Sequence, residues 1–533
     1  MVKMTGGQAL MQTLYQEGVR VIFGLPGVQL YHALDALYEL PDIKLITTRH
    51  EQATTYMADG YSRTSDSIGV SLMVPGPGLL NATAGISTAF SASSPILVVS
   101  GQIERDLIGS DRGILHEVND QIDSIRPITK WAHRSLDPVE IPGAVHEAFH
   151  QLKTGRPRPV EIEVPPETLA EVAEIDLGEP GSFPPAEPDV NDIKRAASII
   201  SAASNPLIWV GGGVNASGAN EALLKLAEHI QAPVIATAEG RGSISDRHPM
   251  SLEGLRLRND PIAKDDPKFD LIISVGTRMA FPTYLDGQQV IQIDVDPTEL
   301  GRNYDNTFGI QSDARRGMEE LYKEIVALIP AKPSREQEVA EARNRRYETA
   351  LRVEPQDSYI KAIRAAIPDD GILISGMTQM GYYSRTFYPV YEPKTFITSS
   401  YSGNLGYAFP TAIGAKVANP EKAVVALSGD GGFLFNSQEL ATAVQHGINV
   451  VVVLFNDNAY GNVLRDQVTR FNGRAIGAEL KNPDFMKLAE AYGARGVRVQ
   501  GPERLEAAIR EALAIDAPSL IEVPVEMMPT PFE

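Results

Sequence analysis

Short apolar runs that alternate with helix-like stretches are the feature that most limits the folds open to this chain. Strands that read as continuous apolar runs are buried on both faces, and helices between such strands make parallel crossovers. The first part of the sequence therefore predicts a parallel sheet that is covered by helices on both faces. Its strand-like runs are residues 19–23, 44–48, 69–74, 95–100 and 160–164, with helical stretches at 9–18, 52–63 and 81–91.

The same alternation continues in two further blocks. A chain of 533 residues is too long for one ordinary core. The second block has strand-like runs at 206–210, 233–236, 271–275 and 290–294 and a helix at 315–329, and the third has runs at 371–375, 395–399, 423–427, 450–455 and 519–523. We predict an α/β fold with three doubly wound parallel-sheet domains. The predicted limits are 1–170 for the first domain, 171–188 for a Pro- and Gly-rich linker, 189–332 for the middle domain, 333–355 for a linker with a surface helix, and 356–533 for the third domain.

Charge and composition exclude several classes of function. The formal net charge is −20, and it is spread along the chain with no basic run, so no nucleic-acid partner is expected. The absence of cysteine excludes disulfides, thiolate metal sites and cysteine nucleophiles. The longest apolar runs are far shorter than the roughly 20 residues of a membrane helix, and the start lacks the apolar core of a signal peptide. A cytoplasmic protein without a membrane partner is expected.

Two acidic residues follow neighbouring strands of the third block. Asp430 stands in the Gly-rich run after strand 423–427, and Asp457 follows strand 450–455. A strand–helix–strand crossover would bring both to the carboxyl edge of the sheet, where open α/β sheets bind ligands. Two carboxylates with backbone carbonyls and phosphate oxygens form an all-oxygen shell suited to Mg²⁺. The alternative is that both aspartates are ordinary helix caps at strand-end turns.

Gly429-Asp430-Gly431, followed by Asn456-Asp457-Asn458, resembles the thiamine diphosphate motif of the superfamily of acetolactate synthases and 2-oxo acid decarboxylases. The resemblance implies that thiamine diphosphate is bound with Mg²⁺. The implied metal ligands are the Asp430 and Asp457 side chains and the Ala459 carbonyl. Asp457 departs from the commoner Asn at its position. The resemblance also implies cofactor-binding roles for Gly431, Gly432, Tyr460, Gly461, Asn462 and Val463.

The first block resembles the half of such a site that binds the cofactor's pyrimidine ring. Arg49-His50-Glu51-Gln52 is similar to the family's Arg-His-Glu-Gln segment. This implies that Glu51 stabilises the imino tautomer of the ring, which then acts as the local base. The alternative for Glu51 is a helix-start acid favoured by the helix dipole. His50 and His116 are the candidate acid–base residues, with a structural role as the alternative for each.

Five further segments are similar to family segments that line the cofactor site. They are residues 23–27, 76–78 with Asn81, 100–102, 376–379 and 403–406. They imply that Gln102 faces the reaction centre and that Leu405 lies under the bent cofactor, although an ordinary core leucine is the alternative. The other cofactor-binding residues that they imply are Pro26, Gly27, Pro77, Asn81, Gly376, Met377, Thr378 and Gly403. The resemblance identifies the three domains as pyrimidine-binding, middle and diphosphate-binding. It also implies a homodimer or homotetramer, with active sites between subunits.

Two regions depart from the synthase pattern. The middle block has Val210-Gly-Gly-Gly-Val214 and a matching Arg278, but residues 252–259 replace the segment through which synthases bind FAD, so FAD is left open and not favoured. After Gly461 the synthases have Met-Val-x-Gln-Trp-Gln, whereas residues 462–467 here read Asn-Val-Leu-Arg-Asp-Gln. The Trp that shapes the acceptor pocket of the synthases is therefore absent from this run.

The resemblance implies an enzyme that decarboxylates a 2-oxo acid such as pyruvate and joins the remaining fragment to a carbonyl acceptor, as acetolactate synthases do. One alternative is a non-oxidative 2-oxo acid decarboxylase of the benzoylformate or pyruvate type. Two alternatives from other classes stay open. One is a homologue that binds the cofactor without turnover, and the other is a flavin or nicotinamide oxidoreductase that uses the middle block.

Overall fold

Each of the three blocks forms a six-stranded parallel sheet in the computed structural model, which describes residues 1–254, 269–280, 287–348 and 352–530. The α/β prediction is therefore confirmed. The elements of the first block are β1 (Val2–Thr5), α1 (Gly6–Gln16), β2 (Val21–Gly24), α2 (Tyr31–Tyr38), β3 (Lys44–Thr47), α3 (Glu51–Thr64), β4 (Gly69–Met73), α4 (Pro77–Ala92), β5 (Ile96–Gly101), α5 (Gln121–Ile125), β6 (Trp131–Arg134), α6 (Ile141–Lys153), β7 (Val160–Val164), α7 (Pro166–Ala170) and β8 (Val172–Ile175). The strand order is β3-β2-β4-β5-β7-β6, and β1 pairs with β8 in a separate antiparallel ribbon.

The middle sheet has the order β11-β10-β9-β12-β13-β14. Its elements are α8 (Val190–Ala202), β9 (Pro206–Val210), α9 (Gly212–Ser217), α10 (Asn220–Ile230), β10 (Val234–Ala236), β11 (Ser251–Gly254), β12 (Leu271–Val275), β13 (Gln289–Asp294), β14 (Thr307–Gln311), α11 (Ala314–Leu328) and α12 (Glu336–Glu348). Aspartate caps fix the starts of two of these helices, since Asp189 accepts hydrogen bonds from the first turn of α8 and Asp313 does so for α11.

The third sheet has the order β16-β15-β17-β18-β20-β19, so the direction of winding changes between β15 and β17. Its elements are α13 (Gln356–Ala366), β15 (Ile372–Ser375), α14 (Gln379–Phe387), β16 (Phe396–Thr398), α15 (Ala408–Ala418), β17 (Val424–Gly429), α16 (Asp430–Leu434), α17 (Glu439–His446), β18 (Val451–Asn456), α18 (Gly461–Arg470), α19 (Phe485–Tyr492), β19 (Arg495–Arg498), α20 (Pro502–Leu513) and β20 (Ser519–Pro524). Ligands of doubly wound sheets bind at such a change of direction, beyond the carboxyl ends of the strands.

The first and third blocks share one apolar core, in which α3 packs along α15. The two helices approach closely because each has a glycine at the crossing. A Cβ on Gly60 would lie 2.0 Å from the Thr411 carbonyl oxygen, and one on Gly414 would lie 1.9 Å from that of Met57. Neither position could carry a larger residue without moving a helix.

The structure differs from the predicted elements mainly at edges and linkers. Strand β8 occupies the start of the predicted linker 171–188, while residues 176–188 form neither helix nor strand. Helix α12 lies within the predicted linker 333–355, and Val339, Ala342 and Arg346 on it are buried. Within the described ranges, no helix is long and apolar enough to cross a membrane.

Candidate active site

A crevice opens at the carboxyl edge of the third sheet, beyond the ends of β15, β17 and β18. It contains most of the residues that the sequence predicts at the diphosphate end. Its lining comprises Met377, Thr378, Gln379, Tyr382, Leu405, Gly429, Asp430, Gly431, Gly432, Phe455, Asp457, Ala459, Tyr460, Gly461, Asn462, Val463, Val525 and Met528. The crossover between β17 and β18 thus brings Asp430 and Asp457 to one cavity.

The two aspartates are close enough to influence each other's charge. Asp430, the first residue of α16, is 2% exposed, and its burial raises the pKa of the carboxyl group. Burial, followed by the negative charge of Asp430, raises the pKa of Asp457 to about 6. Two neighbouring carboxylates that repel each other, one buried and one half-buried, form a site that a divalent cation would stabilise.

The remaining metal ligands would have to come from groups other than acidic and imidazole side chains. Among the described residues, no group of three or more Asp, Glu or His side chains could hold a metal ion. The turn after β18 supplies backbone carbonyls instead. Two hydrogen bonds hold this turn in place. The Leu480 N–H donates to the Asn458 carbonyl (2.7 Å), and the Tyr460 N–H donates to the Ala478 carbonyl (2.8 Å). Ala459, whose carbonyl is the predicted third ligand, lies between them and is buried.

Two helices begin at the crevice without a side-chain cap. No side chain caps α16 at Gly429 or α18 at Tyr460. The first N–H groups of a helix lack intrahelical acceptors, so uncapped helix starts that line a cavity favour an anion such as a diphosphate. A Cβ on Gly461 would lie 2.0 Å from Asp457 Oδ2, and one on Gly431 would lie 2.6 Å from the Tyr460 ring. The donor set and the glycines therefore fit a metal with a diphosphate.

Several residues hold the two aspartates in place, and sequence reasoning missed their roles. The Asn482 amide donates to Asp430 Oδ2 at 2.6 Å and to Asn456 Oδ1 at 3.0 Å. The Gln379 amide donates to Asp457 Oδ2 at 3.0 Å. Gln379 stands in a predicted cofactor segment. Asn482 lies 52 positions from Asp430, and the sequence around Asn482 has no motif that predicts this contact.

Other predicted residues of this half lie around the crevice. Leu405 is half-buried and lines it, together with Met377 and Thr378. A Cβ on Gly432 would lie 3.9 Å from the Leu405 side chain. Gly403 has a φ of +65°, which glycine adopts without strain.

The first-block residues gather at the carboxyl edge of their own sheet. Glu51 is the first residue of α3, and His50 caps that helix by accepting the Gln52 N–H through Nδ1 at 3.1 Å. The Asn81 amide donates to Glu51 Oε2 at 3.1 Å. Asn81 lies on α4, which begins at Pro77 after the Gly76 turn. The structure thus brings Glu51 and Asn81 together, and their roles at the cofactor stay predictions.

The remaining first-block candidates have other surroundings. His116 has a φ of +72°, and its Nδ1 lies 3.0 Å from Gln29 Oε1. Gln102 is 3% exposed, and its amide donates to the buried Glu163 at 3.0 Å. Catalytic roles for Gln102, His50 and His116 stay predictions. Pro26 and Gly27 follow β2 directly, and Pro26 is exposed.

The first-block candidates lie outside the crevice of the third block. All residues that line the crevice come from the third block, and none of the described first-block residues is among them. Exposed side chains flank both halves: Leu80 and Leu115 in the first block, and Phe435 and Val463 in the third. One chain therefore holds an open half-site at each of two sheet edges.

The middle block has a Gly-rich turn at the change of direction of its sheet. The Gly213 N–H donates to the Gly276 carbonyl at 3.0 Å, and the Arg278 guanidinium lies 4.6 Å from the centre of the Tyr401 ring. Most of the segment compared with the FAD-binding segment of synthases, residues 255–259 of 252–259, lies outside the described residues. FAD therefore stays an open question.

Comparisons with known proteins cover all three blocks. Residues 4–124, 193–321 and 376–523 match the N-terminal thiamine pyrophosphate-binding, central and C-terminal thiamine pyrophosphate-binding domains of thiamine pyrophosphate enzymes. This cofactor is thiamine diphosphate under its other name. The matches agree with the order of domains that the sequence motifs predict.

Whole-length relatives give the same assignment. The chain is 34% identical to a probable acetolactate synthase large subunit of Methanocaldococcus jannaschii, over 99% of this chain and 93% of the relative. It is 32% identical to the acetolactate synthase large subunit of Haemophilus influenzae, over 97% and 93%. It is 33% identical to a probable 2-ketoarginine decarboxylase of Pseudomonas aeruginosa, over 98% and 94%. The chain belongs to the thiamine diphosphate-dependent enzymes of the acetolactate synthase-like superfamily.

Proposed function

We propose that this enzyme uses Mg²⁺ with thiamine diphosphate to decarboxylate a 2-oxo acid such as pyruvate, and then joins the remaining fragment to a second carbonyl compound. The observation that carries the metal part is the pair of Asp430 and Asp457 in one crevice. With the Ala459 carbonyl they would hold Mg²⁺, and the uncapped starts of α16 and α18 would hold the diphosphate. When bound, the cofactor would supply an electron sink for the broken C–C bond.

The protein's own groups would divide the remaining work. Glu51, supported by the Asn81 amide, would bond to the pyrimidine ring and hold a proton there. Leu405 would support the cofactor from below, where it lines the crevice. His50 and His116 would move protons near the substrate, since an imidazole exchanges protons near neutral pH.

We further propose that two subunits complete each active site. Within one chain, the crevice is lined only by described residues from position 377 onward, while Glu51 stands at the edge of another sheet. The exposed Phe435, Val463, Leu80 and Leu115 would be covered when the two half-sites come together. This arrangement supports a homodimer or a homotetramer of such dimers.

A second candidate function ends at decarboxylation. The relative named as a probable 2-ketoarginine decarboxylase is as similar to this chain as the synthases are. Residues 462–467 also lack the tryptophan of the synthase pattern, and the outer crevice is lined by Tyr382, Asn462 and Val463 instead. The two outcomes differ in the fate of the bound fragment. An acceptor pocket that excludes water favours joining to a second carbonyl compound, whereas protonation of the fragment gives an aldehyde.

Product analysis tests the proposal. The purified protein is incubated with pyruvate, Mg²⁺ and thiamine diphosphate, and the products are identified by mass spectrometry. Acetolactate supports the carboligase, and acetaldehyde alone supports the decarboxylase. If pyruvate is unchanged, the same assay with a panel of longer and charged 2-oxo acids identifies the donor. No carboxylate loss from any of them, with the cofactor bound, supports the homologue without turnover.

A further inference from the structure

A buried arginine stands behind the second carboxylate of the candidate metal site. Arg465 lies in the first half of α18 and is 8% exposed. One of its nitrogens, Nη1, donates to Gln379 Oε1 at 2.7 Å and to the Met528 carbonyl at 3.1 Å, and Nη2 donates to Asn462 Oδ1. All three acceptors are neutral, so these contacts leave the buried positive charge without a direct counter-ion.

The Gln379 amide connects this cation to Asp457. Its Nε2 donates to Asp457 Oδ2 at 3.0 Å while its Oε1 accepts from Arg465. A guanidinium can only donate and a carboxylate can only accept, so this is the one orientation of the amide that satisfies both neighbours. Because Gln379 is 7% exposed, water screens the connection poorly.

Both charged ends are positions where this chain departs from the family pattern. Asp457 stands where Asn is commoner, and Arg465 stands where the synthase run has Gln. One substitution adds a negative charge and the other adds a positive charge, and the fold places them on opposite ends of a single side-chain amide. Because the Gln379 amide bonds to both side chains, each charge can offset the other.

We propose that Arg465 is a positioning residue that, through Gln379, offsets the extra charge of Asp457 and fixes the orientation of its carboxylate at the metal–diphosphate site. The inference rests on the proposed Mg²⁺–thiamine diphosphate site. Without the arginine, the crevice would present two carboxylates to an anionic cofactor with no buried positive charge behind them. Without the second carboxylate, the arginine would be a buried cation with neutral neighbours, which is costly.

A double-variant experiment on the full-length protein tests this. The variants are Arg465→Gln, Asp457→Asn and the two combined, with Arg470→Gln as the control. Arg470 lies on the same helix, but it is exposed and paired with Asp466 at 3.7 Å. The affinity for thiamine diphosphate is measured by calorimetry in saturating Mg²⁺, and metal affinity is measured with Mn²⁺ as a spectroscopic probe.

We expect each single variant to weaken cofactor affinity about tenfold, and the double variant to return to within about threefold of the natural chain, since coupled sites are non-additive. Arg470→Gln leaves affinity unchanged. Losses that multiply in the double variant, or an Arg465→Gln protein with natural affinity, overturn the inference. A natural chain that binds no thiamine diphosphate with Mg²⁺ overturns the proposed function as well, which separates the two failures.

A variant that misfolds would be recognised by its circular dichroism spectrum, and Gln379→Met then gives a second route. This change removes the connecting amide while Arg465 keeps its contact with the Met528 carbonyl. In the Gln379→Met background, Asp457→Asn and Arg465→Gln should no longer compensate each other. Full compensation without the amide would contradict the proposed path.

Discussion

Glu51 and Asp457 have similar chemistry but different surroundings. Glu51 is half-buried at the start of α3 and accepts a hydrogen bond from Asn81. Asp457 lies beside the buried Asp430, and the Gln379 amide holds one of its oxygens. Under the proposed function, the first carboxylate would hold a proton near the cofactor ring, and the second would hold a metal. Each role gives a separate prediction.

Replacing Glu51 with Gln should abolish most turnover without removing the cofactor. A Gln side chain keeps the size and the bond to Asn81, but it cannot bear the charge that the tautomer role requires. We expect turnover to fall by about 100- to 10,000-fold, the range usual for a proton-transfer group. Steady-state rates with the donor found in the product assay measure this, and calorimetry should show thiamine diphosphate binding within a few-fold of the natural chain. Turnover of Glu51→Gln at the natural rate would contradict the role of Glu51 in stabilising the tautomer.

Mg²⁺ binding should weaken in mild acid because of Asp457. Burial and the charge of Asp430 raise the pKa of Asp457 to about 6, so below that pH a proton competes with the metal for the carboxylate. Affinity should be flat above about pH 7 and fall by up to about tenfold per unit below pH 6. Metal titrations between pH 5 and 8 measure the profile. In Asp457→Asn the part of the profile centred near pH 6 should be missing, and an unchanged profile would assign the titration to another group.

At the scale of elements, α17 links the two half-sites of one chain. Glu439, at the start of α17, is fully buried and accepts the Arg49 N–H at 3.1 Å and the Thr442 hydroxyl at 2.7 Å. His446, at its other end, accepts the Thr47 N–H at 3.0 Å. The loop before Glu51 is therefore held by a helix of the diphosphate-binding block.

The same contact should make folding stability depend on pH. Burial raises the pKa of Glu439 to about 7, above its usual value, so the folded state holds this proton more tightly than the unfolded chain does. The resulting stabilisation is fully present below the usual pKa of Glu and is lost as the pH rises through about 7. The shift from 4.5 to about 7 corresponds to about 3 kcal/mol. Denaturant unfolding of Glu439→Gln should show a smaller loss of stability over this range. The exposed Glu490→Gln serves as the control and should follow the natural chain.

The sequence predicts the buried elements better than the edges. Continuous apolar runs such as β4 and β7 identify central strands because both faces are covered by helices. The edge strands β6 (Trp131–Arg134) and β19 (Arg495–Arg498) were not predicted, since half-buried polar residues at a sheet edge carry no such pattern. For the same reason the sequence predicts a linker where β8 forms.

The candidate site also contains residues that the sequence predicts and residues that it does not. Spacing places Asp430 and Asp457 correctly at one edge, because a crossover fixes where neighbouring strands end. Their supports were not predictable, since Asn482 reaches Asp430 from a loop 52 positions away. Gln102 belongs to a cofactor-like segment, yet its partner is the buried Glu163. Side-chain direction, unlike strand position, depends on packing that a single sequence does not reveal.

At the scale of the whole molecule, one arginine joins all three blocks. Arg63 on α3 donates to the Thr398 carbonyl of the third block at 2.7 Å and pairs with Glu239 of the middle block. Asp59 lies 3.4 Å away on its own helix and is fully buried. The guanidinium therefore neutralises carboxylates from two blocks and accounts for part of their mutual packing.

Arg63→Met should weaken the packing of the three blocks against one another. It leaves the buried Asp59 and the half-buried Glu239 without their cation, and breaking a buried ion pair costs about 3 kcal/mol in comparable cases. We expect a lower midpoint of thermal unfolding, and calorimetry should separate the middle domain's transition from that of the shared core. Arg126→Met, at an exposed ion pair with Asp123, should leave the profile unchanged. A single transition at the natural temperature in Arg63→Met would show that apolar packing alone joins the blocks.

The half-sites at two edges of one chain make the assembly itself testable. If each active site takes Glu51 from one subunit and Asp430 from its partner, Glu51→Gln and Asp430→Asn chains are each inactive as homodimers. In a mixed dimer, one site carries both substitutions and the other carries neither. Random exchange of equal amounts makes half of the dimers mixed, so activity should recover to about a quarter of the natural value. Subunits are exchanged by dilution and reconcentration, and turnover is then measured with Mg²⁺ and thiamine diphosphate. A mixture that stays inactive, although mass spectrometry of differently tagged chains shows mixed dimers, would place Glu51 and Asp430 of one site on the same subunit.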